Sequence, residues 1–285
     1  MKIAVTGATG QLGTLVIQAL SQQIPTKNII ALVRDTHKAE HFADQGIEVR
    51  LFDYNQIETL QPALEGVDRL LLISGSEVGQ RVPQHQAVIS AAVKASVPYV
   101  AYTSLLHADT SALGLATEHK ATEEIIQNSG LAYAFLRNNW YIENYLGNLA
   151  HIVSEGKLYG AAGIGRIRAA SRQDYAQAAA NVLINAPSNN PTYELAGSAA
   201  FTLSELAQTI STVYNTTVEY INLTATDYSH ALSEAGLPQG LVDVIVDADV
   251  QATFGGMYSE SDDLSTLIGH ETMSPEQLIT QLKTA

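Results

Sequence analysis

The stretch Thr6-Gly7-Ala8-Thr9-Gly10-Gln11-Leu12-Gly13 decides the fold of this 285-residue chain. It stands directly behind the apolar run Ile3-Ala4-Val5 and directly ahead of an amphipathic segment ending near Gln23, an order that predicts strand, glycine turn and helix. In that reading Gly7 permits the tight turn off the strand, and Gly10 lets the backbone approach a pyrophosphate with no Cβ in the way. Gly13 lets the new helix pack close to the strand. The free N–H groups and positive dipole end of the helix then face the anion. Glycines also punctuate ordinary loops, so the flanking strand and helix carry the inference.

Downstream, Asn28 to Val33 is a continuous apolar run, as expected of a parallel strand buried on both faces. It ends in Arg34, about 20 residues past the glycines, where an NAD-binding fold places an acidic side chain on the ribose 2′-hydroxyl. A guanidinium there suits a 2′-phosphate instead, which favours NADPH over NADH. Asp35 blunts that preference if it turns inward, and Lys38 reinforces it. The pattern then repeats: a helix over 39–45, a strand over 48–52, a helix over 57–64 and a strand over 69–73. Strands alternating with helices at this spacing predict an α/β, Rossmann-type, doubly wound parallel sheet.

Asp53 follows the third strand, either reaching the adenine or serving as a turn residue. Ser74-Gly75-Ser76 follows the fourth, at a carboxyl end where ligands bind in such sheets. Residues 77–95 read as one long helix, with Arg81, Gln84 and His85 as its polar face. Strands over 99–103 and 131–136 flank a helix over 117–128. The last strand runs into Arg137-Asn138-Asn139-Trp140-Tyr141-Ile142-Glu143-Asn144-Tyr145, which holds the only Trp of the chain. Those aromatics and amides either enclose a planar ring system or pack into the core. Beyond residue 147 the elements shorten, with Gly, Asn and Pro between them. The division expected is therefore a dinucleotide-binding domain over 1–146 and a smaller α+β region over 147–285, partly interleaved with it and covering the substrate.

Composition excludes several function classes. A hydrophobic share of 46% with 15% charged residues belongs to an ordinary globular protein. A net charge of −14 with no basic run argues against nucleic acid or an anionic membrane surface as a partner. The absence of cysteine removes thiolate catalysis, disulfides and cysteine-based metal sites, and it is compatible with a cytoplasmic setting. No His, Asp or Glu cluster has metal-ligand spacing, and no apolar run is long enough to span a membrane.

The chain resembles the short-chain dehydrogenase/reductase superfamily in its atypical NmrA-like branch. Within that branch it is similar to the bacterial type 2 NAD(P)H:quinone oxidoreductases, with the triphenylmethane reductases as near relatives. The carrying stretches are Thr6 to Gly13, Arg34, Leu70 to Ser74, Glu77 to Arg81, Ala101 to Asp109, Leu136 to Tyr141, Tyr193 to Gly197 and Asp263 to His270. The resemblance implies hydride transfer from NADPH to a quinone. No flavin or metal is expected, and the chain is expected to act as a monomer or homodimer. By position, Gly7, Ala8, Thr9, Gly10, Gln11 and Leu12 hold the pyrophosphate, Arg34 the 2′-phosphate, and Ser74 and Gly75 the ribose region. Asn138, Asn139, Trp140, Tyr141, Ile142 and Glu143 flank the nicotinamide, with Trp140, Tyr141 and Asn144 turned to the substrate.

One departure from the superfamily bears on mechanism: no Tyr lies four residues before any Lys, and Ala116 holds that position relative to Lys120. Ketone chemistry that needs a Tyr acid is therefore disfavoured, whereas a quinone gives a resonance-stabilised anion that solvent can protonate. His119 is the nearest candidate for a proton donor or a ribose contact. The alternative reading is a regulatory protein that binds the dinucleotide as a redox signal and does not turn it over.

Overall fold

The computed structural model describes residues 1–284. In chain order the first half comprises β1 (Ile3–Val5), α1 (Gln11–Ser21), β2 (Ile29–Val33), α2 (Glu40–Asp44), β3 (Glu48–Leu51), α3 (Leu60–Ala63), β4 (Arg69–Leu72), α4 (Arg81–Lys94), β5 (Tyr99–Leu105), α5 (Ala116–Gln127) and β6 (Ala132–Asn138). There follow α6 (Glu143–Leu146), α7 (Leu149–Glu155), β7 (Lys157–Gly160), α8 (Arg172–Asn185), β8 (Thr192–Leu195), α9 (Leu203–Tyr214), β9 (Glu219–Asn222), α10 (Ala225–Glu234), α11 (Gln239–Thr253), α12 (Asp263–Ile268) and α13 (Pro275–Thr284).

Seven strands form one sheet in the order β3-β2-β1-β4-β5-β6-β8, and every pairing in it is parallel. This is the doubly wound α/β sheet, with helices on both faces. The apolar runs explain themselves in this setting, because successive residues of a strand face opposite layers. Ile3, Val5, Ile29, Ala31, Val33 and Leu71 pack towards α1, α8 and α12, while Ala4, Ile30, Leu32, Leu70 and Leu72 pack towards α3, α4 and α5. A third apolar cluster joins Leu105, Ile142 and Tyr145 to Leu158, Phe201, Leu206, Ala248 and Ile279, around the small parallel pair β7-β9. Residues past 147 therefore contribute to both bodies: α8 lies on α1 and β8 closes the main sheet, while β7, β9, α9 and α11 build the smaller one.

The long helix expected over 77–95 is shorter, beginning only at Arg81. Gly79 at φ +87° breaks the run, and its N–H donates to Glu118 Oε1 at 2.9 Å. Asp174 is structural: it accepts from the Ser171 hydroxyl at 2.7 Å and from the Met273 N–H at 3.0 Å, tying the start of α8 to the C-terminal segment.

The smaller body encloses an ionisable group. Asp249 on α11 is fully buried, accepting from Tyr145 OH at 3.1 Å and from the Ala161 N–H at 2.7 Å. Burial raises its pKa from 3.8 to about 6, although both hydrogen bonds favour the carboxylate. Because the folded chain holds this proton more tightly than the unfolded chain, the group's contribution to stability is full at low pH and is lost as pH rises through about 6. Asp249→Asn keeps the acceptor for Ala161 and lets the Tyr145 oxygen accept from the new amide. Relative to wild type, the variant gains about 2 kcal/mol of stability between about pH 4.5 and about pH 7.5, as read by urea unfolding at the two values.

Candidate active site

The carboxyl ends of β1, β2, β3 and β4 surround a cavity of about 580 Å³, within the size range of cofactor clefts. Its floor is the glycine turn. Gly7 adopts φ +57° and Gly10 N donates to Gly7 O at 2.8 Å, closing the turn. A Cβ on Gly13 would stand 2.2 Å from Gly7 O and 2.8 Å from Ala8 Cα, and one on Gly10 would stand 3.1 Å from Gly7 O. Neither position admits a side chain without moving the turn. Gly10 caps α1 without any side-chain hydrogen bond, so the first N–H groups of the helix open towards the cavity uncapped.

Of the residues expected in the site, Gly7, Thr9, Gly10, Gln11, Leu12, Arg34, Ser74 and Gly75 all line this cavity. Ala8 lies beside them with its side chain buried in the core. Arg34 stands at the rim, 66% exposed at its side chain, and its guanidinium donates to Glu77 Oε1 at 3.2 Å. Asp35, Lys38 and His41 line the same end. Asp53 does not line the cavity. Its carboxylate accepts from Asn55 N and Gln56 Nε2 as a turn residue, and Tyr54 and Asn55 take the place at the wall. Burial pushes the Tyr54 hydroxyl up to about 12, so it stays neutral.

The loop after β4 is pinned from every side. Ile73 N donates to Thr6 Oγ1 at 2.9 Å, Ser74 N to Thr103 Oγ1 at 2.9 Å, and Gly75 N to His85 Nε2 at 3.1 Å. Arg81 Nε donates to Gly75 O at 2.8 Å. Arg81, Gln84 and His85 are thus not an outer polar face: all three are buried and turn inward to hold the cavity wall. Their helical spacing gives no sign of this, because polar residues on an amphipathic helix read outward by default. Burial, and then the charge of Arg81, push His85 down to about 3. The ring is therefore neutral, with Nε2 accepting from Gly75 and Nδ1–H left to donate to Thr122 Oγ1 at 2.9 Å.

The second expected group, past β6, stands apart from the cavity lining. Asn139 spends its amide on Arg168 O and Met257 O and accepts from Trp140 N, an arrangement that locks the strand end. Ile142 is fully buried, and Trp140 packs on the core of the smaller body. Tyr141 stacks edge-on against Tyr175, with the Arg172 guanidinium 4.5 Å from its ring centroid. Asn144 Oδ1 accepts from Arg172 at 2.6 Å, and Glu143 Oε1 accepts from Arg172 N at 2.8 Å. Asn138 Oδ1 is buried here without a hydrogen-bond partner, and so is Glu143 Oε2, which has only the Arg172 guanidinium 3.6 Å away. A native chain rarely leaves such atoms unpaired unless something else supplies the donor.

His119 is not at the cavity. It is buried on α5 with Nδ1 2.8 Å from Tyr102 OH, and desolvation followed by the charge of Arg81 drives its pKa well below the ordinary value. Among the described residues no group of three His, Asp or Glu could hold a metal ion, and no helix is long and apolar enough to cross a membrane.

Comparison with known proteins bears on this geometry. Quinone oxidoreductase 2 of Escherichia coli (strain K12) is 50% identical over 280 residues, covering 98% of each chain. The crystal structure of an NADPH-dependent quinone oxidoreductase complexed with NADPH, from Escherichia coli, matches with a TM-score of 0.94 at 49% identity over 99% of both chains. Triphenylmethane reductase from Citrobacter sp., complexed with NADP(H), matches with a TM-score of 0.93 at 38% identity, again over 99% of both chains. Residues 1–268 fit the model of the NmrA-like family, and with relatives this similar along their whole length the chain belongs to that family.

Proposed function

We propose that this chain is an NADPH-dependent oxidoreductase that reduces a small-molecule quinone directly, without flavin or metal. The observation that carries the reading is the cavity over the glycine turn: an uncapped helix start, two glycines at which a Cβ would strike the turn's own backbone, and a guanidinium at the rim. These are the parts a dinucleotide with a 2′-phosphate needs, and they fit NADPH. The similar proteins from Escherichia coli and Citrobacter, described as complexes with NADPH or NADP(H), support it.

In this reading Gly7 to Leu12 hold the pyrophosphate, Ala8 through its backbone alone, and Arg34 takes the 2′-phosphate. Ser74 and Gly75 meet the ribose on a loop that His85 and Arg81 keep rigid. Asn138 to Glu143 flank the nicotinamide, where the orphaned Asn138 Oδ1 suits a carboxamide N–H donor. Trp140, Tyr141 and Asn144 face the quinone, with the region over 147–285 covering it. NADPH, when bound, supplies a hydride equivalent at the nicotinamide ring.

The residues of this chain contribute position rather than proton transfer. Burial holds Tyr102 and His119 neutral, and Ala116 stands where the superfamily's Tyr acid would be. A reduced quinone is a stabilised phenolate that water protonates, so no tuned acid is required. The setting proposed is cytoplasmic, as a monomer or homodimer with no nucleic-acid or membrane partner.

The test is steady-state NADPH oxidation with 1,4-benzoquinone, repeated with NADH and with Arg34→Ala. Turnover is expected to depend on the quinone. Arg34→Ala loses about 1–3 kcal/mol in kcat/KM for NADPH and leaves NADH nearly unchanged, the signature of one charge-assisted pair. Dinucleotide binding with no turnover across several quinones would favour the redox-sensing reading instead.

A further inference from the structure

Arg34 and Glu77 come from the loops that follow β2 and β4, the two neighbours of β1 in the sheet, and both line the cavity. Their ion pair, 3.2 Å long, therefore joins opposite walls above the glycine turn. The two partners are held very differently. Glu77 Oε2 accepts from Gln84 Nε2 at 2.8 Å, and Gln84 is itself buried on α4, with its amide also 3.3 Å from Asn55 Oδ1. The carboxylate is thus fixed from a rigid helix. Among the described residues the Arg34 guanidinium has no other ion-pair partner, and its side chain is two-thirds exposed. The pair is a fixed anion with a guanidinium that is free to swing.

Resting on the reading of Arg34 as the contact for a 2′-phosphate, we infer that Glu77 is a specificity-determining residue. Its carboxylate occupies the Arg34 guanidinium as an internal anion, and an incoming 2′-phosphate must compete for it. NADH carries a hydroxyl at that position and leaves the pair intact, so the competition falls on NADPH alone. Glu77 thereby narrows the preference for NADPH over NADH. Among the ion pairs of the described residues there is none between Arg34 and its chain neighbour Asp35.

The pair is solvent-exposed on both sides, 66% and 43%, so its removal has a modest effect. Glu77→Gln keeps the size of the side chain and its contact with Gln84 while removing the charge. By calorimetric titration of the full chain, the ratio of NADH to NADPH dissociation constants rises about two- to fivefold, with the NADH constant unchanged. In an Arg34→Ala background the same substitution leaves the ratio where Arg34→Ala puts it.

A ratio unmoved or lowered by Glu77→Gln overturns the inference, and so does an equal rise in the absence of Arg34. Those failures are distinct from failure of the underlying reading. In that case wild-type protein binds neither dinucleotide, or Arg34→Ala leaves its preference untouched, and the inference falls with it.

Discussion

Glu123→Ala lowers the free energy of unfolding by about 3–5 kcal/mol, the expected cost of stripping one partner from a buried ion pair. Arg137, near the carboxyl end of β6, is buried and pairs with Glu123 of α5 through two bonds, Nε to Oε1 at 2.9 Å and Nη2 to Oε2 at 2.8 Å. Ser104 of β5 adds a third bond to Glu123, at 2.6 Å. The remaining Arg137 nitrogen reaches Glu194 on β8 at 2.7 Å and Asp109 at 3.0 Å. Arg137 thus joins three adjacent strands and the helix covering them, where β6 hands over to the stretch beginning at Asn138. Urea unfolding of the single variant checks the size of the loss. Replacing Arg137 and Glu123 together by Met costs less than Glu123→Ala alone, because the guanidinium is then not left buried without Glu123, while Glu194, which also loses Arg137, is partly exposed and keeps the His107 N–H. A loss below about 1 kcal/mol for Glu123→Ala would mean that the pair behaves as a surface pair does.

Gly13→Ala is expected to weaken NADPH binding about 100-fold and to cost about 1–3 kcal/mol of stability. The added carbon would sit 2.2 Å from Gly7 O, so either the turn or α1 must move, and both belong to the proposed phosphate cradle. Gly10→Ala, whose Cβ would stand 3.1 Å from the same oxygen, costs less stability. Titration with NADPH beside a thermal melt separates the two effects. Equal affinity in Gly13→Ala and wild type would show that the dinucleotide does not rest on this turn.

The first six strands and the glycine turn were legible because buried parallel strands are apolar on both faces, whereas β7, β8 and β9, four residues each and partly exposed, carry no such run. The place of Arg34 at the cavity was legible from its distance past the turn. What the residues could not announce is which polar side chains turn inward. Arg81, Gln84 and His85 sit on a helix whose polar face would ordinarily be solvated, and the groups they hold, Gly75 for Arg81 and His85, Glu77 and Asn55 for Gln84, explain their burial. The stop before Arg81 was hidden because the positive φ at Gly79 is a tertiary outcome, fixed by a bond to Glu118 on another helix. Asp53 and Tyr54 are neighbours in sequence, yet the turn spends the acid and leaves the ring at the cavity. The assembly of Arg137 with Glu123, Asp109 and Glu194 is likewise invisible in a chain where those residues stand 14, 28 and 57 positions apart.

The most direct test of the account is an anaerobic single turnover. Protein purified free of flavin is loaded with one equivalent of NADPH and mixed with 1,4-benzoquinone, and NADPH loss and hydroquinone formation are followed together. Both are expected to proceed with one time course and in equal amounts, and the rate to fall when the transferred hydrogen is deuterium. Bound NADPH that persists after mixing, or that is consumed only when flavin is added, would contradict direct transfer from this cavity.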